Sequence, residues 1–221
     1  MGFFSFTGEV EKTPALSYNC SIMKGKQDLE KMWDITRLLD EKTPIYEGDP
    51  PFAARQWTSL EEQGYVVHQL TCGTHCGTHI DAPAHYIQKG KTVDELNLSQ
   101  LCGRCYVGCV EQVMEKVIDG ADELSRVLLK AGDRTAGRLS MLEARKLAQA
   151  GIRLVGTEEM TIGDDQVHRF LLQQGVVIAE NLALSQVKSG YYRLILLPLL
   201  VHLEAAPARA ILIEERGNDE T

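Results

Sequence analysis

The stretch His75-Cys76-Gly77-Thr78-His79-Ile80-Asp81-Ala82-Pro83-Ala84-His85 places three imidazoles and a carboxylate within eleven residues, a density of metal-ligand chemistry that ordinary surface loops and apolar cores do not accumulate. Its spacing constrains the backbone. His79 and Asp81 stand two apart, so they diverge on a helix and point the same way on an extended chain, while Gly77, Thr78 and Pro83 disfavour a helix interior. The segment is expected to be a loop able to fold around an ion. Tyr65-Val66-Val67-His68-Gln69-Leu70-Thr71, just before it, is rich in β-branched and aromatic residues and reads as a strand. The ligands are then expected where a strand ends.

Two imidazoles with one carboxylate form the ligand set of catalytic zinc, because structural zinc is usually closed by four protein ligands, many of them thiolates, whereas catalytic zinc keeps a position for water. The same donors suit manganese or ferrous iron, so the set argues for a divalent ion without naming it. His85 is the surplus group: either a fourth ligand, or a free imidazole serving as general base and then acid.

The pattern His-x-Gly-Thr-His-x-Asp-Ala-Pro-x-His resembles the signature of the cyclase-like metal-dependent hydrolases, the family of bacterial kynurenine formamidase and isatin hydrolase, at every fixed position from His75 to His85. The resemblance runs from about Trp33 to Glu214. Asp34-Ile35-Thr36 with Pro44-Ile45-Tyr46-Glu47-Gly48-Asp49-Pro50 resembles the family's opening segment, and Val155-Gly156-Thr157-Glu158 and Pro207-Ala208-Arg209-Ala210 resemble later landmarks. It implies that His75, His79 and Asp81 hold one ion, that His168 holds a second, that Asp81 and Glu180 bridge, and that His85 moves protons. His168 and Glu180 stand twelve apart, and Glu180-Asn181-Leu182 has the family's context. Some relatives bind a single manganese, so one ion or two stays open. Tyr46 falls where formamidases carry a tryptophan that shapes the aryl pocket, and it is expected to bind substrate. The chain departs from the family at Thr157-Glu158, in the short loop from Lys130 to Gly137, and at Val201-His202-Leu203-Glu204-Ala205-Ala206, which replaces a glycine-rich piece. His202 and Glu204 read there as surface or interface positions, with pocket groups as the alternative. A Cys76 nucleophile paired with His79 would leave Asp81, His168 and Glu180 without a task.

The resemblance implies a single compact α/β domain of the swivelling β/β/α type, commonly a homodimer or homotetramer. The divisions expected are an N-terminal arm over 1–30, the hydrolase domain over 31–215 and a polar tail over 216–221. The residues support that class. Val66 to Thr71, Cys105 to Val110, Arg153 to Gly156, Val176 to Glu180, Arg193 to Leu197 and Arg209 to Ile213 read as strands. Ser140-Met141-Leu142-Glu143 is a capping box opening a helix that stops at Gly151, and Asp165 to Gln174 reads as a helix ended by Gly175. Asp122 to Lys130 also reads as a helix, with Leu124, Val127 and Leu128 on one face. Asp28 to Leu39 reads as helix by propensity, but the resemblance makes its second half a strand.

The 221 residues suffice for one domain with a substantial core, and a net charge of −8 without a basic stripe argues against nucleic acid. The longest apolar run, Leu194 to Leu203, contains Pro198 and His202 and is too short to span a bilayer. No secretory signal is visible, which with six cysteines points to a reducing, cytoplasmic setting. Cys102, Cys105 and Cys109 read as small buried thiols of a strand rather than a zinc knuckle. The activity expected is metal-dependent hydrolysis of an amide or cyclic amide by metal-activated water, with N-formylkynurenine the leading small-molecule substrate and zinc or manganese the ion. The alternatives are an isatin-type lactam or lactone hydrolase, and a catalytically idle member that binds metal or a ligand.

Overall fold

In the computed structural model, which describes residues 16–19, 31–119, 124–132 and 137–215, the chain runs β1 (Leu16–Asn19), β2 (Lys31–Asp34), β3 (Ala53–Thr58), α1 (Leu60–Gln63), β4 (Val67–Thr71), β5 (His79–Asp81), α2 (Leu98–Leu101), β6 (Cys102–Gly108), α3 (Val110–Asp119), β7 (Arg126–Leu129), α4 (Met141–Gln149), β8 (Leu154–Thr157), α5 (Asp165–Gln173), β9 (Val177–Glu180), β10 (Gly190–Pro198) and β11 (Ala205–Glu214). Single 3-10 turns cover Pro83–His85 and Val93–Glu95. Strands β6, β7, β8 and β9 are parallel neighbours joined through α3, α4 and α5, because a parallel pair needs a long crossover, here supplied by a helix. Antiparallel β10 and β11 extend one side, and β5 pairs antiparallel with both β9 and β11. That double pairing closes β11-β10-β6-β7-β8-β9-β5 into a barrel-like ring, with β2 and β1 continuing from β11.

Strand periodicity sorts the core into two layers. Ile80, Leu128, Leu154, Val177, Ala179 and Leu194 turn into the ring. Their neighbours Val127, Leu129, Val155 and Ile178 turn outward and meet Val113, Leu147, Val167 and Leu171 of the helices. Strands buried on both faces read as continuous apolar runs.

This explains a correction. The segment from Asp122 to Lys130, expected as a helix, holds β7, with Val127, Leu128 and Leu129 fully buried on alternating faces; Asp122 itself lies outside the described residues. The segment from His75 to His85 is likewise not all loop, since His79–Asp81 is a three-residue strand inside the ring. Strand β4 does precede the cluster, but it pairs only with β3 among the described residues, in a separate exposed hairpin. The other strand expectations hold, except that the one from Cys105 to Val110 is observed as Cys102–Gly108 with Val110 opening α3, and the Ser140 capping box opens α4 as expected. Within the segment from Asp28 to Leu39 the strand is Lys31–Asp34, and residues 35–39 are not strand, so it lies ahead of the second half where the resemblance put it. The arm over 1–30, apart from Leu16–Asn19, and the tail over 216–221 lie outside the described residues.

Candidate metal centre

Ring closure builds the site. Because Ile80 and Ala179 turn inward, His79, Asp81 and Glu180 turn outward, toward the side where α5 packs. His79 and Glu180 are direct cross-strand partners, so their side chains share one face at close range. Helix α5 is capped by Asp164, whose side chain accepts the Gln166 and Val167 amides, and one turn later it lays His168 over the same face. His75 enters from the turn before β5, and His85 closes the 3-10 turn begun by Pro83. The rings of His79, His75, His85, Tyr86 and His168 follow one another at centroid separations of 5.0, 4.3, 4.6 and 5.6 Å.

The polar atoms converge on two overlapping groups, His75 with His79 and Asp81, and Asp81 with His168 and Glu180. Asp81 Oδ1 lies 3.0 Å from His75 Nδ1 and 3.4 Å from His79 Nε2. His79 Nε2 lies 3.4 Å from Glu180 Oε2, and His168 Nε2 lies 3.0 Å from Glu180 Oε1, which also accepts the Ile162 amide at 2.7 Å. His79 Nδ1 donates to the Gly77 carbonyl at 2.9 Å, and His168 Nδ1 to the Asp164 carbonyl at 3.0 Å. Those carbonyls fix the tautomers, so in each neutral ring Nε2 presents a lone pair to carboxylate oxygens. His79 Nε2 and Asp81 Oδ1 are buried without a hydrogen bond. Lone pairs facing one another in a buried site demand a positive charge between them.

Without an ion, a proton supplies that charge. Burial works against the His79 cation, but Glu180 and Asp81 outweigh it and hold the imidazolium up to about 9. Burial likewise opposes the Asp81 anion, yet His75 and the His79 charge bring it down to about 2. His168 is raised and Glu180 lowered, their pairing overriding burial in both cases. His85 behaves differently: burial lowers it, and among the described residues its ring forms no hydrogen bond. A divalent ion can replace the protons, and imidazole nitrogens with carboxylate oxygens are suitable donors for one. The residues therefore fit a metal.

The cluster lies at the floor of a cleft of about 750 Å³, whose walls include Tyr46, Glu47, Tyr86, Arg138, Met160 and Gln166. Tyr46 stands at the rim, 61% exposed. Its neighbour Tyr86, which sequence reasoning passed over, donates to Asp165 Oδ1 at 3.0 Å and lies between His85 and His168; its adjacency to His85 was the available signal. Also missed was the brace behind the site. Thr78 donates to the Asn181 carbonyl at 2.7 Å, and Arg37 gives its amide to Thr78 Oγ1 and its Nε to the same carbonyl. His202 lies elsewhere, against Asp94, whereas Glu204 comes within 3.8 Å of His75. Cys76 is 2% exposed and burial pushes its thiol up, the opposite of a nucleophile's environment. Cys102, Cys105 and Cys109 join no metal-ligand group among the described residues.

Residues 33–164 match the family described as "Putative cyclase". The chain is 36% identical to a kynurenine formamidase of Geobacillus thermodenitrificans, over 81% of this chain and 95% of that one. It is 30% identical to a kynurenine formamidase of Bordetella avium, over 84% and 99%. It superposes on the structure of a potential metal-dependent hydrolase with cyclase activity with a TM-score of 0.69 at 28% identity, covering 85% of this chain and 99% of the other. An isatin hydrolase bound to the product analogue thioisatinate gives a TM-score of 0.70 at 18% identity, over 84% and 92%, which is a likeness of fold.

Proposed function

This chain belongs to the cyclase family, and on that premise we propose that it is a metal-dependent amidohydrolase cleaving the carbon-nitrogen bond of an aryl formamide, with N-formylkynurenine the leading substrate. The observation that carries the reading is the buried confrontation of His79 Nε2 and His168 Nε2 with the Asp81 and Glu180 oxygens, which a divalent ion resolves. His75, His79 and Asp81 would hold one ion, and His168 and Glu180, with Asp81 shared, a second; zinc is the leading ion and manganese the next. Bound there, such ions supply a Lewis acid for a carbonyl and an acidified water.

The chain's own groups do the remaining work. His85, neutral because burial lowers it and free of hydrogen bonds among the described residues, is placed to take a proton from the attacking water and return it to the leaving nitrogen. Tyr46 and Tyr86 both line the cleft and offer aromatic faces suited to an aryl ring, and the volume of the cleft suits a small molecule. Among the described residues no helix is long and apolar enough to cross a membrane, and we place the enzyme in the cytoplasm, where thiols such as Cys72 and Cys102 stay reduced. Exposed Trp57 and Leu70 on the β3–β4 hairpin, with Leu199 and Leu200 between β10 and β11, support assembly of copies into a homodimer or homotetramer.

The test is hydrolysis of N-formylkynurenine, with isatin alongside, before and after treatment with chelator. Turnover of N-formylkynurenine that chelator abolishes and zinc or manganese restores is the expected result. Turnover indifferent to chelator would overturn the reading, and turnover of isatin alone would move the substrate to cyclic amides.

A further inference from the structure

Each metal-facing imidazole has a second nitrogen that must be held by something. For His79 and His168 the holder is a neutral backbone carbonyl, that of Gly77 and that of Asp164. His75 is built differently. Its Nδ1 faces Asp81 at 3.0 Å, and its Nε2 faces a second carboxylate, Glu204 Oε1, at 3.8 Å. We propose that Glu204 is a positioning residue of the metal centre: its carboxylate receives the outward Nε2–H of His75, fixes the tautomer that leaves Nδ1 free to bind, and adds negative charge behind that ligand. The inference rests on the metal-centre reading above.

Two independent restraints put the carboxylate there. Ala205 is the cross-strand partner of Asp81, and the Ala82 amide donates to the Glu204 carbonyl at 2.8 Å, so the backbone of Glu204 is registered to the strand that carries Asp81. The Thr74 hydroxyl, one residue before His75, donates to Glu204 Oε1 at 2.7 Å and aims that oxygen at the ring. The remaining 3.8 Å is an ion-pair distance that a small side-chain rotation shortens to a hydrogen bond. A carboxylate behind a ligating imidazole raises its basicity and locks its orientation, and loss of such a partner typically weakens metal binding 10- to 100-fold.

The test titrates metal-stripped protein with Zn²⁺ alone against a chromophoric chelator, and records the melting temperature of each stripped protein. The expected result is that Glu204→Gln weakens one of two Zn²⁺ affinities about 10- to 100-fold while the stripped protein melts like wild type. Thr74→Val should weaken the same site less, and Glu204→Asp should restore part of the loss. Wild-type affinities in both Glu204→Gln and Thr74→Val would overturn the proposal, as would a lower melting temperature with unchanged Zn²⁺ binding, which would make Glu204 a structural anchor. If Glu204→Gln does not fold, Thr74→Val decides, since it removes a single hydroxyl. A wild-type protein that takes up no Zn²⁺ overturns the metal-centre reading itself.

Discussion

His79 shows why the site is a choice between a proton and a metal. Its folded-state value near 9 lies above the ordinary 6.5, so in metal-free protein the stabilisation from its protonated form is complete below about pH 6.5 and is lost as the pH rises toward 9. Asp81, held at about 2 against an ordinary 3.8, stabilises above pH 3.8 and loses its contribution as the pH falls toward 2. Because an ion must displace the His79 proton, metal affinity should rise over the window from 6.5 to 9 while the stripped protein weakens. Melting curves with and without Zn²⁺ at the two ends should show a gap that widens with pH; a constant gap contradicts the exchange. His85 carries a second prediction. His85→Ala should lower kcat about 10²- to 10⁴-fold with metal content unchanged, and the loss of wild-type activity on acidification should occur below pH 6.5, because burial lowers this imidazole and only its neutral form accepts a proton. Normal turnover in the variant would remove His85 from the mechanism. At this scale His75, His79, Asp81 and His85 were legible from spacing alone. His168 and Glu180 needed the resemblance, because nothing in the sequence between them and the cluster reports that β9 pairs with β5. Glu204 lies farther still along the chain, and its contact with His75 depends on the register of β11.

The element that organises the site is also the shortest strand among the described residues, β5. Sequence reasoning excluded a helix there but read a loop, because three residues between Gly77 and Pro83 carry no strand signal of their own. Their pairing energy comes from β9 and β11, which are remote in sequence. The same blindness explains β7, where the apolar run Val127, Leu128 and Leu129, buried on both faces, cannot be told from a buried helix by periodicity. Helix α3 went unread although Val110, Val113, Met114 and Val117 show helical spacing, because the strand before it was extended to Val110. The Pro83–His85 turn yields a prediction of its own. A Cβ on Gly90 would stand 2.6 Å from the Pro83 carbonyl carbon and 2.8 Å from the Ala84 nitrogen, backbone atoms that cannot give way cheaply. Gly90→Ala should therefore push the turn that aims His85 and cost roughly 10- to 100-fold in kcat, with the metal ligands still able to load. A variant with full kcat would show that the turn does not set the geometry of the proton carrier.

Across the whole molecule, the candidate ligands tie together the turn before β5, β5 itself, β9 and α5, so ions bound there belong to the folded state and not to the unfolded chain. At free metal 100 times the dissociation constant this linkage adds about 2.7 kcal/mol, raising the melting temperature by roughly 5–10 °C; chelator should reverse the shift, and equal melting curves with and without metal would deny the coupling. If the exposed apolar residues of the β3–β4 hairpin are covered by a second copy, light scattering should report a dimer or tetramer, with a monomer at micromolar concentration as the contrary result. The central claim is that the two overlapping groups are metal sites. It is tested most directly by anomalous diffraction from crystals of the zinc-loaded protein. The account predicts one peak bounded by His75, His79 and Asp81 and a second bounded by Asp81, His168 and Glu180, and loaded crystals with no peak at either place would contradict it.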